Sequence, residues 1–405
     1  MKTLSINVAA ASLCAALALL AGCAPQSGSA SVPESGSATQ TRLAASGFRV
    51  VYNFQGTPDG GYPLGSLLAL DGVLYGTTSS YGAHNRGTVF SVTPSGTEKV
   101  LYSFNSGTDG DAPYGGLAFW NHAFYGTTSK GGVYSGHGTV FELKEDGIER
   151  VVWSFPGSSD PRGDVRLDSD TLYGTTEMGG EANAGTVFAV QLKLDLGGTL
   201  YSFKGVPNDG TAPTAGLTML ASDFYGTTPK GGSGPCQKVV GKKKDVYGCG
   251  TVFKMTPSGR EELLYSFKGI RDGALPSGDL AVLDGKLYGV TRNSGANGYG
   301  TVFEMQTDGT ERIIHSFAIN EGAYPQAGLT AFNGLLYGTT TTYGPNHHGS
   351  VFEISPSGTF RVLHGFDGKD GFDSESALTP LNGALYGTTR TAGTNDRGTV
   401  YEVTP

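Results

Sequence analysis

From residue 48 onward the chain is written in short apolar runs, each closed by a polar turn that carries glycine. The stretch "GSLLALDGVLYGTTSSYGAHNRGTVFSVTPSGTEKVLYSF" (65–104) shows the pattern. "LLAL", "VLYGTT", "TVFSV" and "EKVLYSF" are each of strand length, too short for a helix and without its 3.6-residue period. The turns between them, "LDG" and "PSG", suit tight hairpins in which glycine supplies the positive φ. Runs such as "TVF" and "LLYSF" are apolar on both faces, which predicts sheets covered on both sides. Each such stretch therefore predicts four antiparallel strands.

The pattern then recurs. Tyr-Gly-Thr-Thr begins at Tyr75, Tyr125, Tyr173, Tyr225, Tyr337 and Tyr386, and Tyr288 heads the variant Tyr-Gly-Val-Thr. Gly-Thr-Val-Phe occurs seven times, from Gly87 to the variants at Gly349 and Gly398, and so does Tyr-Ser-Phe, from Tyr52 (Tyr-Asn-Phe) to His364 (His-Gly-Phe). Seven four-stranded units of roughly 50 residues predict an all-β fold, a seven-bladed β-propeller of four-stranded antiparallel blades. The ends agree: "FRVVYNF" (48–54) is a lone fourth strand, and the chain stops at Pro405 just after a third strand. Two odd strands leave two open edges unless the first completes the last blade, so the ring is expected to close through residues 48–54. The third unit, "SSDPRGDVRLDSDTLYGTT", departs most, and its first strand is expected to be shortened.

The "LYGTT…GTVF…SGT…LYSF" pattern resembles the Gloeo/Verruco (GloVer) tandem repeat of bacterial exported proteins, over about residues 48–405. The resemblance implies export and a surface anchor. It implies no catalytic residue.

The N-terminus reads as a targeting segment. "MKTLSINVAAASLCAALALLAGC" has one positive charge, Lys2, and an apolar stretch too short to span a bilayer comfortably. It ends in Leu20-Ala21-Gly22-Cys23, which resembles a lipobox. The expected order is a signal peptide over 1–22, lipidation at Cys23, a flexible Ser/Ala/Gly-rich tether over 23–46 and the propeller over 47–405. With Ala at position 24, a Gram-negative cell would carry the lipid anchor in its outer membrane. Cys236 and Cys249 share one loop; outside the cytoplasm such a pair is expected to form a disulfide, whereas a zinc site would need two further ligands.

Composition narrows the partners. The formal charge is −8 and the pI near 5.4, which lacks the basic footprint a nucleic acid requires. Neither a G-x-S-x-G elbow, an H-E-x-x-H helix, a phosphate loop nor an EF-hand spacing occurs, so no catalytic residue, metal or cofactor is assigned. The loops entering each first strand and those between second and third strands are long, emerge on one face, and differ from unit to unit. Binding is expected there. Eight tyrosines fall in these loops, and the candidate ligand-binding residues are Tyr81, His84, Arg86, Tyr134, His137, Tyr299, Tyr343, His347, His348 and Arg397. The acidic-Gly pairs (Asp59, Asp109, Asp209, Asp272, Glu321 and Asp370, with Asp160 in the third unit) read first as turn residues and second as an ion-gathering ring. The expected function is a tethered, monomeric binding module for a glycan or protein. The alternative is an extracytoplasmic polysaccharide lyase or hydrolase that uses His and Asp/Glu at the channel mouth.

Overall fold

The computed structural model describes residues 47–405 except 106, 135, 158, 241 and 242. The signal peptide, Cys23 and the tether lie outside the described residues. Seven blades of four antiparallel strands form a ring, a seven-bladed β-propeller. Blade 1 is Leu68–Leu70, Val73–Thr78, Thr88–Val92 and Glu98–Ser103. Blades 2 to 6 span 118–154, 166–202, 218–266, 274–316 and 330–365. Blade 7 takes three strands from 379–404 and its fourth from Gly47–Asn53, which pairs antiparallel with Thr399–Thr404. The lone strand at each end thus closes the ring. First strands of neighbouring blades touch one another, so they are innermost, and fourth strands form the rim. The third unit keeps all its strands. Its first, Arg166–Asp168, is three residues long like Leu68–Leu70 and Ala118–Trp120, so the expected shortening is the common pattern rather than a departure.

Each letter of the repeat has a mechanical task. The glycine of Tyr-Gly-Thr-Thr lies directly opposite the Phe of Gly-Thr-Val-Phe, as Gly226 does opposite Phe253. A Cβ on Gly226 would stand 2.5 Å from Phe253 Cζ, so only glycine leaves room for the ring. The second threonine bonds the threonine or serine of the third strand, Oγ to Oγ, at 2.7–2.9 Å in all seven blades. In four blades the first threonine reaches the next blade: Thr77 Oγ1 donates to Gly115 O at 2.9 Å and Thr175 Oγ1 to Ala215 O at 2.6 Å, and Thr227 and Thr339 do the same.

The core is seven seams, one per blade junction. In every seam the Phe that ends one fourth strand meets the third-strand ring of the next blade edge to face, from Phe54–Phe90 to Phe366–Tyr401, with centroids 4.9–5.2 Å apart. Such a pair contributes about 0.5–1.5 kcal/mol beyond its buried area. A register shift between third and fourth strands recurs beside this Phe, as at Val89/Phe90 and Val140/Phe141. Cys236 and Cys249 form a disulfide in the one long insertion, beside the hairpin Gln237–Val240 and Lys243–Val246.

Candidate functional site

The chain enters each blade through the same four-residue step. Its first residue has positive φ: Tyr62, Ala112, Asp160, Ala212, Leu275, Tyr324 and Asp373, all between 51° and 62°. A proline follows in six blades and Ser374 in the seventh. The proline packs on the glycine that opens the preceding blade's Gly-Thr-Val-Phe: a Cβ on Gly87 would meet Pro113 Cδ at 2.7 Å, and one on Gly250 would meet Pro276 Cδ at 2.3 Å. The fourth residue is small because backbones of neighbouring blades touch around the axis. A Cβ on Gly115 would fall 2.3 Å from Gly163 O, and one on Gly163 would fall 2.5 Å from the Ala215 carbonyl.

The third residue of the step is free to vary, and it does. Leu64, Tyr114, Arg162, Thr214, Ser277, Gln326 and Glu375 are seven different side chains on one repeated backbone, and all seven line a single axial cavity of about 310 Å³ on the long-loop face. Ser66, Asp164, Asp279 and Arg390 add to its polar lining.

The cavity carries both charges in fixed positions. Arg162 is held by Asp160 at 2.9 Å and Glu177 at 3.0 Å, and its guanidinium lies 4.9 Å from the centre of the Tyr114 ring. Arg390 sits 3.4 Å from Glu375 and 3.5 Å from Asp373. Burial first, and then the Asp373 charge, push the Glu375 carboxyl up to about 7, against Arg390 and Arg292. Asp164 accepts from Gly116 N at 2.5 Å, and Asp279 from Gly216 N at 2.6 Å. Burial and the neighbouring Asp164 raise Asp279 to about 7. Two carboxyls of the cavity therefore change charge near neutrality. Among the described residues no histidine lines this cavity.

The residues expected from the sequence gather elsewhere, in separate clusters between neighbouring blades. Tyr81 meets Tyr62 edge to face at 5.4 Å, and Arg397 stacks over Tyr81 at 4.6 Å. Tyr299 and Tyr343 meet at 5.9 Å, with Tyr324 beside both. Arg86 donates to Asp111 at 2.8 Å. His84 and His347 are exposed, His137 is half-buried, and the ring of His348 packs on Phe372 with Nδ1 2.7 Å from Asn346 O. Tyr134 is 54% exposed, at a surface groove with Val133 and Trp153. Of the eight loop tyrosines, Tyr114 alone lines the axial cavity among the described residues. The acidic-Gly carboxylates are turn residues. Asp59 takes Gln55 N at 2.7 Å and Tyr52 Oη at 2.9 Å, Asp109 takes Asn105 N at 2.6 Å and Tyr102 Oη at 2.9 Å, and both bonds recur at Asp209 and Asp272. Glu321 and Asp370 take a backbone amide and, in place of tyrosine, His315 and His364. None of these six lines the axial cavity among the described residues. Sequence reasoning missed Arg162, Asp164, Asp279, Glu375 and Arg390. A usable signal was present: a variable residue held between a repeated proline and a repeated small residue.

Solved structures of similar shape give the fold independently. Virginiamycin B lyase from Staphylococcus aureus superposes with a TM-score of 0.58 at 11% identity, over 88% of this chain and 99% of that one. A puromycin hydrolase superposes with a TM-score of 0.54 at 13% identity, over 82% of this chain; the chain spans half the length of that enzyme. No curated protein matches the sequence. The sequence profile of the Gloeobacter/Verrucomicrobia repeat matches residues 12–240 and 239–405, and with seven copies of one blade motif closing a ring, the chain belongs to the Gloeobacter/Verrucomicrobia repeat family.

Proposed function

We propose that the propeller is a binding module for a glycan and that the axial cavity of the long-loop face is its site. The observation that carries this reading is the ring of seven side chains that vary on a backbone repeated seven times. Seven different side chains converging on one cavity from a repeated backbone are what a recognition surface needs. The lining suits a hydroxylated ligand: Tyr114 offers a stacking face, Arg162 and Arg390 offer donors, and Asp164, Asp279, Ser277 and Gln326 offer acceptors. The test is a glycan array followed by titration calorimetry on the leading ligand. Arg162→Ala, Tyr114→Ala and Glu375→Gln are each expected to weaken binding at least tenfold with unchanged stability. Equal affinity in all three variants overturns the assignment. The same reading retains the lipid anchor at Cys23 and the tether over 23–46, with exposure at the outer membrane, and is checked by lipid labelling of wild type and Cys23→Ala.

A second reading is favoured by one observation. Asp279, raised to about 7 by burial and by Asp164 beside it, is a carboxyl that exchanges its proton near neutrality next to a second carboxyl, the pairing that general acid–base hydrolysis uses. Polysaccharide hydrolysis at this pair predicts time-dependent release of reducing ends, lost in Asp279→Asn. Binding without turnover excludes it.

A further inference from the structure

Around the rim, each blade junction is closed by a set of three positions: the aromatic of Tyr-Ser-Phe, the acid of the following turn, and a residue at the start of the next blade's fourth strand. Four junctions carry Tyr, Asp and Glu. They are Tyr52–Asp59–Glu98, Tyr102–Asp109–Glu149, Tyr201–Asp209–Glu261 and Tyr265–Asp272–Glu311. Two carry His, acid and Phe: His315 pairs with Glu321 and stacks flat on Phe360 at 4.2 Å, and His364 pairs with Asp370 and stacks flat on Phe48 at 3.5 Å. The junction between blades 2 and 3 carries Trp153 against Gly197, where a Cβ would stand 2.6 Å from the indole. The aromatic and its facing residue change together. Wherever histidine appears, the fourth-strand glutamate is replaced by phenylalanine, and the histidine keeps only the acid of its own turn.

Proton counting explains this. In three of the Tyr–Asp–Glu sets one aspartate oxygen accepts both a backbone amide and the tyrosine hydroxyl, and in the fourth Asp109 takes the hydroxyl on Oδ1 and the amide on Oδ2, so in all four the aspartate is the acceptor of both donors. Tyr201 Oη also lies 3.1 Å from Glu261 Oε2, and Tyr102 Oη 3.5 Å from Glu149 Oε2. A tyrosine hydroxyl has one proton and has given it to the aspartate, so the glutamate must supply its own. The far oxygens fit a shared proton: Glu98, Glu149, Glu261 and Glu311 each bury Oε1 with no other partner, as Asp59 buries Oδ1, and two ionised carboxylates side by side would tolerate that poorly.

We propose that four of the seven blade junctions are closed by a neutral glutamic acid sharing its proton with the preceding blade's Tyr–Asp pair, which makes the ring tightest in mildly acidic surroundings and loosens its rim as the medium turns alkaline. The charged groups around these glutamates set the direction. Asp59 and Asp109 face Glu98 and Glu149; Asp209 and Glu262 face Glu261, with Lys204 opposing; Asp272 faces Glu311, with Lys268 opposing. Burial first and these carboxylates second raise Glu98 and Glu149 to about 8 and Glu261 and Glu311 to about 7. Each folded value lies above the unfolded value of about 4.3. The folded state therefore binds more protons between the two, and stability falls as pH rises from about 4.5 through 7–8.

The experiment is calorimetric unfolding near pH 6 in buffers of different ionisation enthalpy, which counts protons exchanged. Glu149→Gln is expected to lower the number released by about one, and the quadruple change Glu98→Gln, Glu149→Gln, Glu261→Gln and Glu311→Gln by about four. Should the quadruple variant not fold, carboxyl carbon titration by NMR on the wild type reads the same property. Four glutamates still protonated at pH 6 support the proposal. Unchanged proton release, or four glutamates titrating near 4, overturns it. A calcium-dependent gain in stability that the glutamine changes abolish overturns it as well, because a cation would then bridge the pair.

Discussion

The buried threonine pairs give the sharpest test of how the motif holds a blade together. In blade 2, Thr128 Oγ1 lies 2.8 Å from Thr139 Oγ1 and donates to Lys130 O at 2.8 Å, and both side chains are fully buried. Thr128 has one hydroxyl proton and spends it on the carbonyl, so Thr139 must donate to Thr128. The two residues of the pair are therefore unequal. Thr128→Val leaves the Thr139 hydroxyl as a buried donor without an acceptor, which costs about 1–3 kcal/mol. The Lys130 carbonyl stays satisfied, since Asp111 N donates to it at 2.9 Å. Thr139→Val removes only the donor and leaves Thr128 bonded to Lys130, so its cost is that of one ordinary hydrogen bond, about 0.5–1.5 kcal/mol. The double variant orphans nothing and is expected to cost less than the sum of the singles by about 1 kcal/mol. Equilibrium urea unfolding of the four proteins at constant m-value reads all three quantities. Thr139→Val costing as much as Thr128→Val, or strict additivity, refutes the assigned direction of donation.

Two further outcomes follow from the packing. Gly226→Ala puts a methyl 2.5 Å from Phe253 Cζ and is expected to cost about 1–3 kcal/mol by overpacking, with Phe253→Leu in the same chain recovering part of it; denaturant midpoints decide. Cys236 and Cys249 are 13 positions apart, so reduction is expected to lower stability by about 3 kcal/mol in the chain-entropy account. Unfolding with and without reductant reads this, with the Cys236→Ser, Cys249→Ser protein insensitive.

Much of the fold was legible because a ring needs every blade to present the same faces. That demand writes the same letters seven times: glycine under the phenylalanine ring, threonine opposite threonine, phenylalanine edge-on to the next blade. The closure by residues 48–54 was legible for the same reason, since a lone fourth strand has one place to pair. The candidate site was read less well. The loop tyrosines and histidines stood out by residue type, but Tyr62, Tyr81 and Arg397 stack on one another between blades 7 and 1, and Tyr299, Tyr324 and Tyr343 do so between blades 5 and 6. Arg162, Asp279 and Glu375 carry no motif, and their sequence neighbours are packing residues.

Local chemistry, repeated, was enough to dictate strand, turn, blade and ring, because hydrogen-bonding and packing demands between neighbours act over a few residues and across one junction. Convergence on the axis is a different matter. Leu64 and Glu375 are 311 positions apart and line one cavity only because the seventh blade borrows its fourth strand from the N-terminus. The proton states around the rim belong to the same class, since Glu98 is raised by burial at the closing junction and by Asp59, which follows the strand that closes the circle. Both depend on curvature summed over seven blades, which no single repeat contains.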